Sequence, residues 1–412
     1  NCRITDTGSG TIGISLGTAA VALDLAQGFS TIQGCYITGF ALGVRLKGLD
    51  LKLSDSYLTE VASGISVVDG SNTHITNTNL ILSATDGVTG ITVSAPTTKI
   101  TSCSISCPRT VWVAETPYGI DVDDSNVSIV DTDIIGFHNT ATSSGAGIHG
   151  STNADGLNIQ TTKVEDCFIG IDVLSAATVT LQGGQFTNVA EYGALFTSCQ
   201  GVSVLNNQFG TGTATACVML DMCTRFVVSD NSIDGDSGST INGIIVQGSL
   251  VGGRSRDFVI SNNNLISCGT YGILLSGYVQ NGTITGNTVD GFYPASVNSP
   301  TAVSGIHLMS VAGDEIRYVM INGNTLWRSQ KGIICDGDGA GPVCELGIHD
   351  NIIHNCSQVL TGVATDFLYQ SQGIGVDYGF GVAISGNQIR GIGKGMSQTD
   401  VEAFPGGGGS DV

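Results

Sequence analysis

Charged residues are scarce in this chain, 12% of 412 residues, while 41% are hydrophobic. The surface must therefore be made largely of Ser, Thr, Asn, Gln and Gly, which suits a long-lived extracellular protein. Basic residues are fewer still. Fifteen Lys and Arg against 35 Asp and Glu leave a formal charge of -20, which argues against binding nucleic acid or an anionic membrane surface but does not exclude an acidic glycan. Only 7 prolines occur, as expected where most backbone N–H groups are committed to hydrogen-bond ladders. No run of 18 apolar residues is found, so no membrane-spanning helix is expected. Among the 12 cysteines there is no Cys-x-x-Cys pair, and Cys103 and Cys107 lack a partner at zinc spacing, so a metal site is not expected. Apolar residues at helical spacing are nearly absent, which excludes a helical bundle.

What is present is repetition. An apolar residue, an Asn three positions on and an apolar residue two further recur at Val228–Ile233, Ile260–Leu265, Ile284–Val289, Ile321–Leu326, Ile348–Ile353 and Ile384–Ile389. Upstream of most of these phrases stands a second one, Gly-Ile-x-apolar, as at Gly64-Ile65, Gly90-Ile91, Gly119-Ile120, Gly147-Ile148, Gly170-Ile171, Gly243-Ile244, Gly272-Ile273, Gly305-Ile306 and Gly332-Ile333. Both alternate with period two, are rich in Val, Ile and Thr, and are bounded by Gly, Asn, Asp and Ser, so both read as short strands. A strand pattern that repeats every few tens of residues marks a solenoid, in which each repeat buries its apolar face only by stacking on the next. The expected fold is all-β, a single-stranded parallel β-helix of about 13 to 14 rungs, on the order of 65 Å long at the spacing of neighbouring strands.

In that fold the phrase Asn residues stack. The column runs through Asn387, Asn351, Asn324, Asn287, Asn263, Asn231 and Asn207, then through Gly184, Thr162, Thr132, Cys103, Thr78, Ser56 and Cys35. Side-chain amides in register can bond one another along the axis, so these Asn are read as structural. The change of residue type near position 200 implies a somewhat different turn in the second half.

Residues 32–396 are assigned to one parallel β-helix, 1–31 to a first rung at a truncated N-terminal end, and 397–412 to a Gly-rich tail. The chain opens at Asn1 without a Met or signal peptide, and Ile12–Leu16 already reads as a strand; an open β-helix end is a liability, so an N-terminal portion is inferred to be missing. Thr399–Glu402 can cap one helical turn. Cys35, Cys103 and Cys335 read as small buried residues. Cys199 and Cys223 share an offset from successive strand starts, which allows either a disulfide or two stacked thiols.

Chemistry is expected on the outward positions of the Gly-Ile strand, because alternate strand residues face out. One outward column reads Arg45, Ser66, Thr92, Asp121, His149, Asp172, Leu195, Met219, Ile245, Leu274, His307 and Ile334, and the next includes Lys47, Asp123, Ser151, Asp221 and Asp336. Asp121, His149 and Asp172 would stand on three successive rungs with Asp123 beside them. Two carboxylates two rungs apart are about 9 to 10 Å from each other, at the upper edge of the spacing used in inverting glycoside hydrolysis. Glycan or cation binding and ordinary polar surface are the competing readings. Leu195, Met219, Ile245, Leu274 and Ile334 would form an exposed apolar strip of about 400 to 500 Å², large enough to conceal a partner. Long turns could fold over it; the polar, Gly-rich character of the turns near Arg254 and Ser296 favours instead packing between chains around a three-fold axis.

The Gly-Ile strand, the Ile-x-x-Asn-x-Ile strand and the Asn column together resemble the right-handed parallel β-helices of the pectate-lyase-like superfamily over most of the chain. Within that group the acidic, helix-poor, Gly/Ser/Thr/Asn-rich character is most similar to bacteriophage tailspikes. The resemblance implies a homotrimer that binds and depolymerises a bacterial surface polysaccharide by glycosidic-bond hydrolysis, outside the cell and on a virion tail. It leaves open a non-catalytic glycan-binding fibre, a structural β-helix, or a lyase. The candidate catalytic residues are Asp121, Asp172, Asp123 and His149. Trp112, Tyr118, Arg254 and Arg256 are the candidate substrate contacts, with Trp327 and Tyr318 as further aromatic platforms and Arg254, Arg256 and Arg317 as the candidate cations for a lyase. Asp123-Asp124 and Gly147-Ile-His149-Gly150 resemble two polygalacturonase motifs, while Asn-Thr-Asp and Arg-Ile-Lys are absent. No cofactor is expected; the Asp-Gly-Asp-Gly run at 336–339 resembles a calcium loop that lacks most of its ligands.

Overall fold

The computed structural model describes residues 2–5, 12–16, 30–83, 88–108, 116–210, 212, 215–235, 242–290, 304–310, 313–329, 331–337, 341–354 and 372–391. Trp112, Ser296, Asp338 and the tail after 391 lie outside them. The chain groups into two compact units, Asn1–Ser203 and Val204–Val412. The division falls where the ladder residues change from Thr and Cys to Asn.

Both units are built the same way. Every strand pairing is parallel among the described residues, and each coil of the right-handed β-helix contributes to each of three sheets, with the second-sheet strand split in two in the last two described coils, as at Val343–Cys344 with Gly347–His349 and Gly379–Phe380 with Ala383–Ser385. In the first unit, for example, Tyr118–Val122 lies in the Gly-Ile sheet, Ser128–Val130 in a second sheet and Asp133–Ile135 in a third, after which Ala146–Gly150 returns beside Tyr118–Val122. Among the described residues there is no helix, and hence none long and apolar enough to cross a membrane.

The Gly-Ile phrase has two physical causes. Ile65, Ile91, Ile120, Ile148 and Ile171 are in register on successive strands and all buried; burying each contributes about 1.5–3 kcal/mol. The glycine before each Ile is required by space. A Cβ on Gly119 would meet Ile134 Cγ2 at 2.4 Å and the Gly147 carbonyl at 2.5 Å, and one on Gly90 would meet the Gly119 carbonyl at 2.4 Å. The third sheet's apolar side chains and the next coil's backbone occupy the volume a side chain would need.

The turn between the second and third sheets explains the other phrase. Its first residue has a left-handed backbone, as at Asp55 (φ 52), Asp131 (φ 50), Asp230 (φ 58) and Asn262 (φ 55), or is a glycine such as Gly286 (φ 66). Gly, Asn and Asp tolerate this conformation best, and Ser102 (φ 52) and Thr161 (φ 48) also adopt it at this turn. Its second residue points inward. In the second unit Asn207, Asn231, Asn263, Asn287, Asn324, Asn351 and Asn387 form one column, each amide nitrogen donating to the next Oδ1 at 2.9 Å. Each Oδ1 also accepts the backbone N–H of the preceding Asn, as from Asn231 to Asn263 at 3.0 Å. In the first unit Ser56, Thr78, Cys103, Thr132 and Thr162 hold the position and donate instead to the carbonyl two residues back. The expected column is present in both units.

Cys35, Cys103 and Cys335 are buried, as expected. Cys199 Sγ lies 3.4 Å from the Val173 carbonyl and Cys223 Sγ 3.4 Å from the Asp221 carbonyl.

The apolar strip differs from expectation. Met219, Ile245, Leu274 and Ile334 are in outward register within the second unit, yet only 8%, 6%, 7% and 1% exposed; Leu195, in the first unit, is half-buried. The chain itself removes this row from water. The strip is therefore not an open interface, and a three-chain assembly would use another surface.

Candidate functional site

Three adjacent strands of the Gly-Ile sheet in the first unit, Tyr118–Val122, Ala146–Gly150 and Ile169–Leu174, build the cluster. Their register pairs Asp121 with His149 and His149 with Asp172, so the three outward side chains stand in one row. The row is fixed from beneath, since Ile120 and Val122 flank Asp121 and are fully buried. Slipping the strand by one residue would turn both into water, which is why the register holds.

His149 is the centre of this row. Its Nδ1 lies 2.9 Å from Asp121 Oδ1, and its ring stacks on Tyr118 with centroids 4.6 Å apart and planes 18° from parallel. Burial works against the charged imidazole, but the hydrogen bond to Asp121 and the charges of Asp121, Asp172 and Asp123 outweigh it and hold its pKa above the ordinary value. Asp172 behaves differently. Burial pushes its pKa up, and the nearby His149 offsets this only in part. A carboxyl whose pKa is raised by burial, two strands from one that accepts an imidazole hydrogen bond, is the kind of asymmetry acid–base chemistry uses. The backbones of Asp121 and Asp172 are two strand spacings apart, about 9–10 Å.

Asp123, at the next outward position, accepts hydrogen bonds from Ser151 Oγ and, at 3.0 Å, from Asn153 Nδ2. These bonds hold its carboxyl below the usual range. Tyr118 has its phenol pKa raised by burial and by the charges of Asp121 and Asp172. Among the described residues no group of three or more His, Cys, Asp or Glu is placed to hold a metal ion.

The structure thus brings Asp121, His149, Asp172, Asp123 and Tyr118 together. Arg254 and Arg256 belong to the second unit. Arg254 lies over the Tyr278 ring at 4.7 Å and reaches Gln280, while Arg256, on the second sheet, is paired with Asp257 at 3.9 Å. Arg317 is on the same sheet, bonded to Glu315 at 2.9 Å. Trp327 stacks on His354 at 4.8 Å, on the third sheet.

A second constellation of this kind was not singled out from the sequence. In the second unit His307 Nε2 lies 3.0 Å from Asp336 Oδ2, and the Tyr271 ring meets the imidazole edge-on at 5.0 Å. The His307 hydrogen bond draws the Asp336 pKa down. The His307 side chain is 6% exposed against 20% for His149, and its Nδ1 and the Ser304 Oγ are buried without a hydrogen-bond partner among the described residues. The sequence does carry a signal for it. Tyr-Gly-Ile followed one Gly-Ile strand later by Gly-Ile-His occurs twice, at Tyr118 with His149 and at Tyr271 with His307.

Comparison with known proteins agrees with the architecture. A family profile described as "Right handed beta helix region" matches residues 90–251, 147–310 and 236–402. The tailspike protein of E. coli bacteriophage HK620, solved as a double mutant, superposes with a TM-score of 0.60 at 12% identity, covering 93% of this chain and 73% of that one. A double mutant of the periplasmic alginate epimerase AlgG gives a TM-score of 0.52 at 12% identity, covering 86% and 76%. A search of curated proteins finds no match. At such identities the likeness is one of fold.

Proposed function

This chain belongs to the right-handed β-helix family, and from that premise we propose that it binds a bacterial surface polysaccharide across the Gly-Ile sheet of its first unit and hydrolyses a glycosidic bond there. The observation that carries the reading is the row Asp121–His149–Asp172, with a carboxyl whose pKa burial raises at one end and a carboxyl hydrogen-bonded to His149 at the other. A tailspike and a polysaccharide-modifying epimerase of the same fold support it by analogy. Extracellular action and attachment to a host cell as part of a phage particle are included in the proposal.

In the proposed reaction Asp172 donates its proton to the glycosidic oxygen as the bond to the anomeric carbon breaks. Asp121 takes a proton from a water that attacks that carbon from the opposite face. The products are a free alcohol and a reducing end of inverted configuration. The spacing of about 9–10 Å leaves room for that water, at the upper end of the range of inverting enzymes. His149 holds the Asp121 carboxylate in place through Nδ1, and its charge favours the Asp172 carboxylate that forms once the proton is given up. Asp123, with Ser151 and Asn153 bonded to it, would hold sugar hydroxyls.

Incubation with a panel of bacterial capsules and O-antigens tests this. Hydrolysis gives new reducing ends without the absorbance of an unsaturated sugar. That absorbance would reveal a lyase, and binding without cleavage would mark a glycan-binding fibre.

A further inference from the structure

We propose that the glycan segment accommodated over Asp121, His149 and Asp172 is uncharged, built of neutral or N-acetylated sugars and not of uronic or sialic acids. This rests on the reading of that row as the glycan site and specifies what it takes.

The sign of the charge around the row carries the inference. Asp121, Asp172, Asp123 and Asp124 lie on or beside three adjacent strands, and the one cationic group among them, His149, is already bonded to Asp121. Among the described residues, no Lys or Arg stands on the Gly-Ile strands of the first unit from Ser63–Ser71 to Tyr192–Thr197. Arg45 and Lys47 are the basic residues on the described strands of that sheet in the first unit, three strands from Asp121. Three strand spacings are about 14 Å, more than the screening length of roughly 8 Å at physiological salt. Lys47 is in any case paired with Asp69 at 2.9 Å. Lys99 and Lys163 are on the second and third sheets, and Arg109 lies outside the described residues.

A uronate carboxylate entering this row would meet the carboxyl groups of Asp121, Asp123 and Asp172 in a partly buried setting, where the one basic side chain among the described residues of these strands is His149, already bonded to Asp121. Proton abstraction beside that carboxylate, the step shared by uronate lyases and epimerases, needs a cation to hold the developing enolate charge; among the described residues no Lys or Arg stands on these strands, and His149 is engaged by Asp121. The groups that do flank it suit hydroxyl and acetamido substituents. Ser66, Thr92 and Ser94 stand on the preceding strands, and Ser151 and Asn153 beside Asp123. These are neutral donors and acceptors.

The test is affinity and product analysis of the intact protein on three sets of polysaccharides: neutral bacterial polysaccharides, uronate-containing ones, and the same uronate polymers after chemical reduction of their carboxyls to alcohols. The expected result is binding to at least one neutral or reduced polymer, with every uronate form held at least about thirtyfold more weakly than its reduced counterpart. Equal or tighter binding of a uronate form, or its cleavage, overturns the inference. Binding of neutral glycan without cleavage upholds it and removes the hydrolytic reading instead. Failure to bind any of the three sets overturns both.

Discussion

His149 and Asp121 are 28 residues apart in the chain and joined by a 2.9 Å hydrogen bond across adjacent strands. The charge on that imidazole also acts on Asp172, lowering a pKa that burial has raised. Asp172 must be protonated to act as the acid, so activity is expected to fall as pH rises through its raised value. Replacing His149 by Gln removes the opposing charge and lets the Asp172 pKa rise further. The pH–rate profile of His149→Gln should therefore show its alkaline limb displaced to higher pH, with the rate reduced about tenfold to a hundredfold. An unmoved limb would mean that Asp172 is not the acid.

The same shift bears on stability. A carboxyl whose folded pKa lies above its unfolded value contributes stability that is fully present below the unfolded value, near 3.8, and lost as pH rises through the folded one. At neutral pH Asp172 is thus an ionised group the fold would rather bury neutral. Asp172→Asn should melt about 1–3 °C higher than the parent at pH 7 and at the same temperature near pH 3. Thermal melts at the two pH values decide it.

The two kinds of ladder should differ in strength. Asn263 accepts from both the backbone N–H and the amide of Asn231, and donates to Val228 and Asn287. Asn263→Ala leaves several buried groups unpaired and should cost about 2–4 kcal/mol. Thr132 makes a bond to the Val130 carbonyl, and Thr132→Ala should cost about 1 kcal/mol. Urea midpoints of the two variants give the comparison.

Two glycines separate space from backbone conformation. An added Cβ at Gly119 would meet Ile134 at 2.4 Å, whereas at Gly323 it would meet nothing within 4 Å but would sit at a φ of +62. Gly119→Ala should lose about 1–3 kcal/mol or more through overpacking, and Gly323→Ala about 1–2 kcal/mol through the left-handed backbone alone. A loss for Gly119→Ala of less than about 1 kcal/mol in urea unfolding would contradict the steric account of the Gly-Ile phrase.

The fold was legible because a parallel β-helix writes its geometry into the chain at period two, with an Asn column and a steric glycine as fixed points. From Gly119 and Gly147 the outward register of Asp121 and His149 followed by counting, and the strand pairing agrees residue for residue. What was not legible depends on segments far apart in sequence. Whether Met219, Ile245 and Leu274 meet water is decided by what the chain lays over them, and period two carries no information about that. The His307–Asp336 pair was missed for a related reason. His307 stands as an interruption in an apolar row, while its partner Asp336 is one strand on and in the neighbouring column, beside Met309.

The assignment of Asp121 and Asp172 as base and acid is tested most directly by comparing Asp121→Asn, Asp172→Asn and the parent protein on a polysaccharide that the parent depolymerises, counting new reducing ends while measuring binding to the same polymer. Each variant is expected to lose about 10²- to 10⁴-fold in rate with binding retained; either variant cleaving at the parental rate would contradict the assignment.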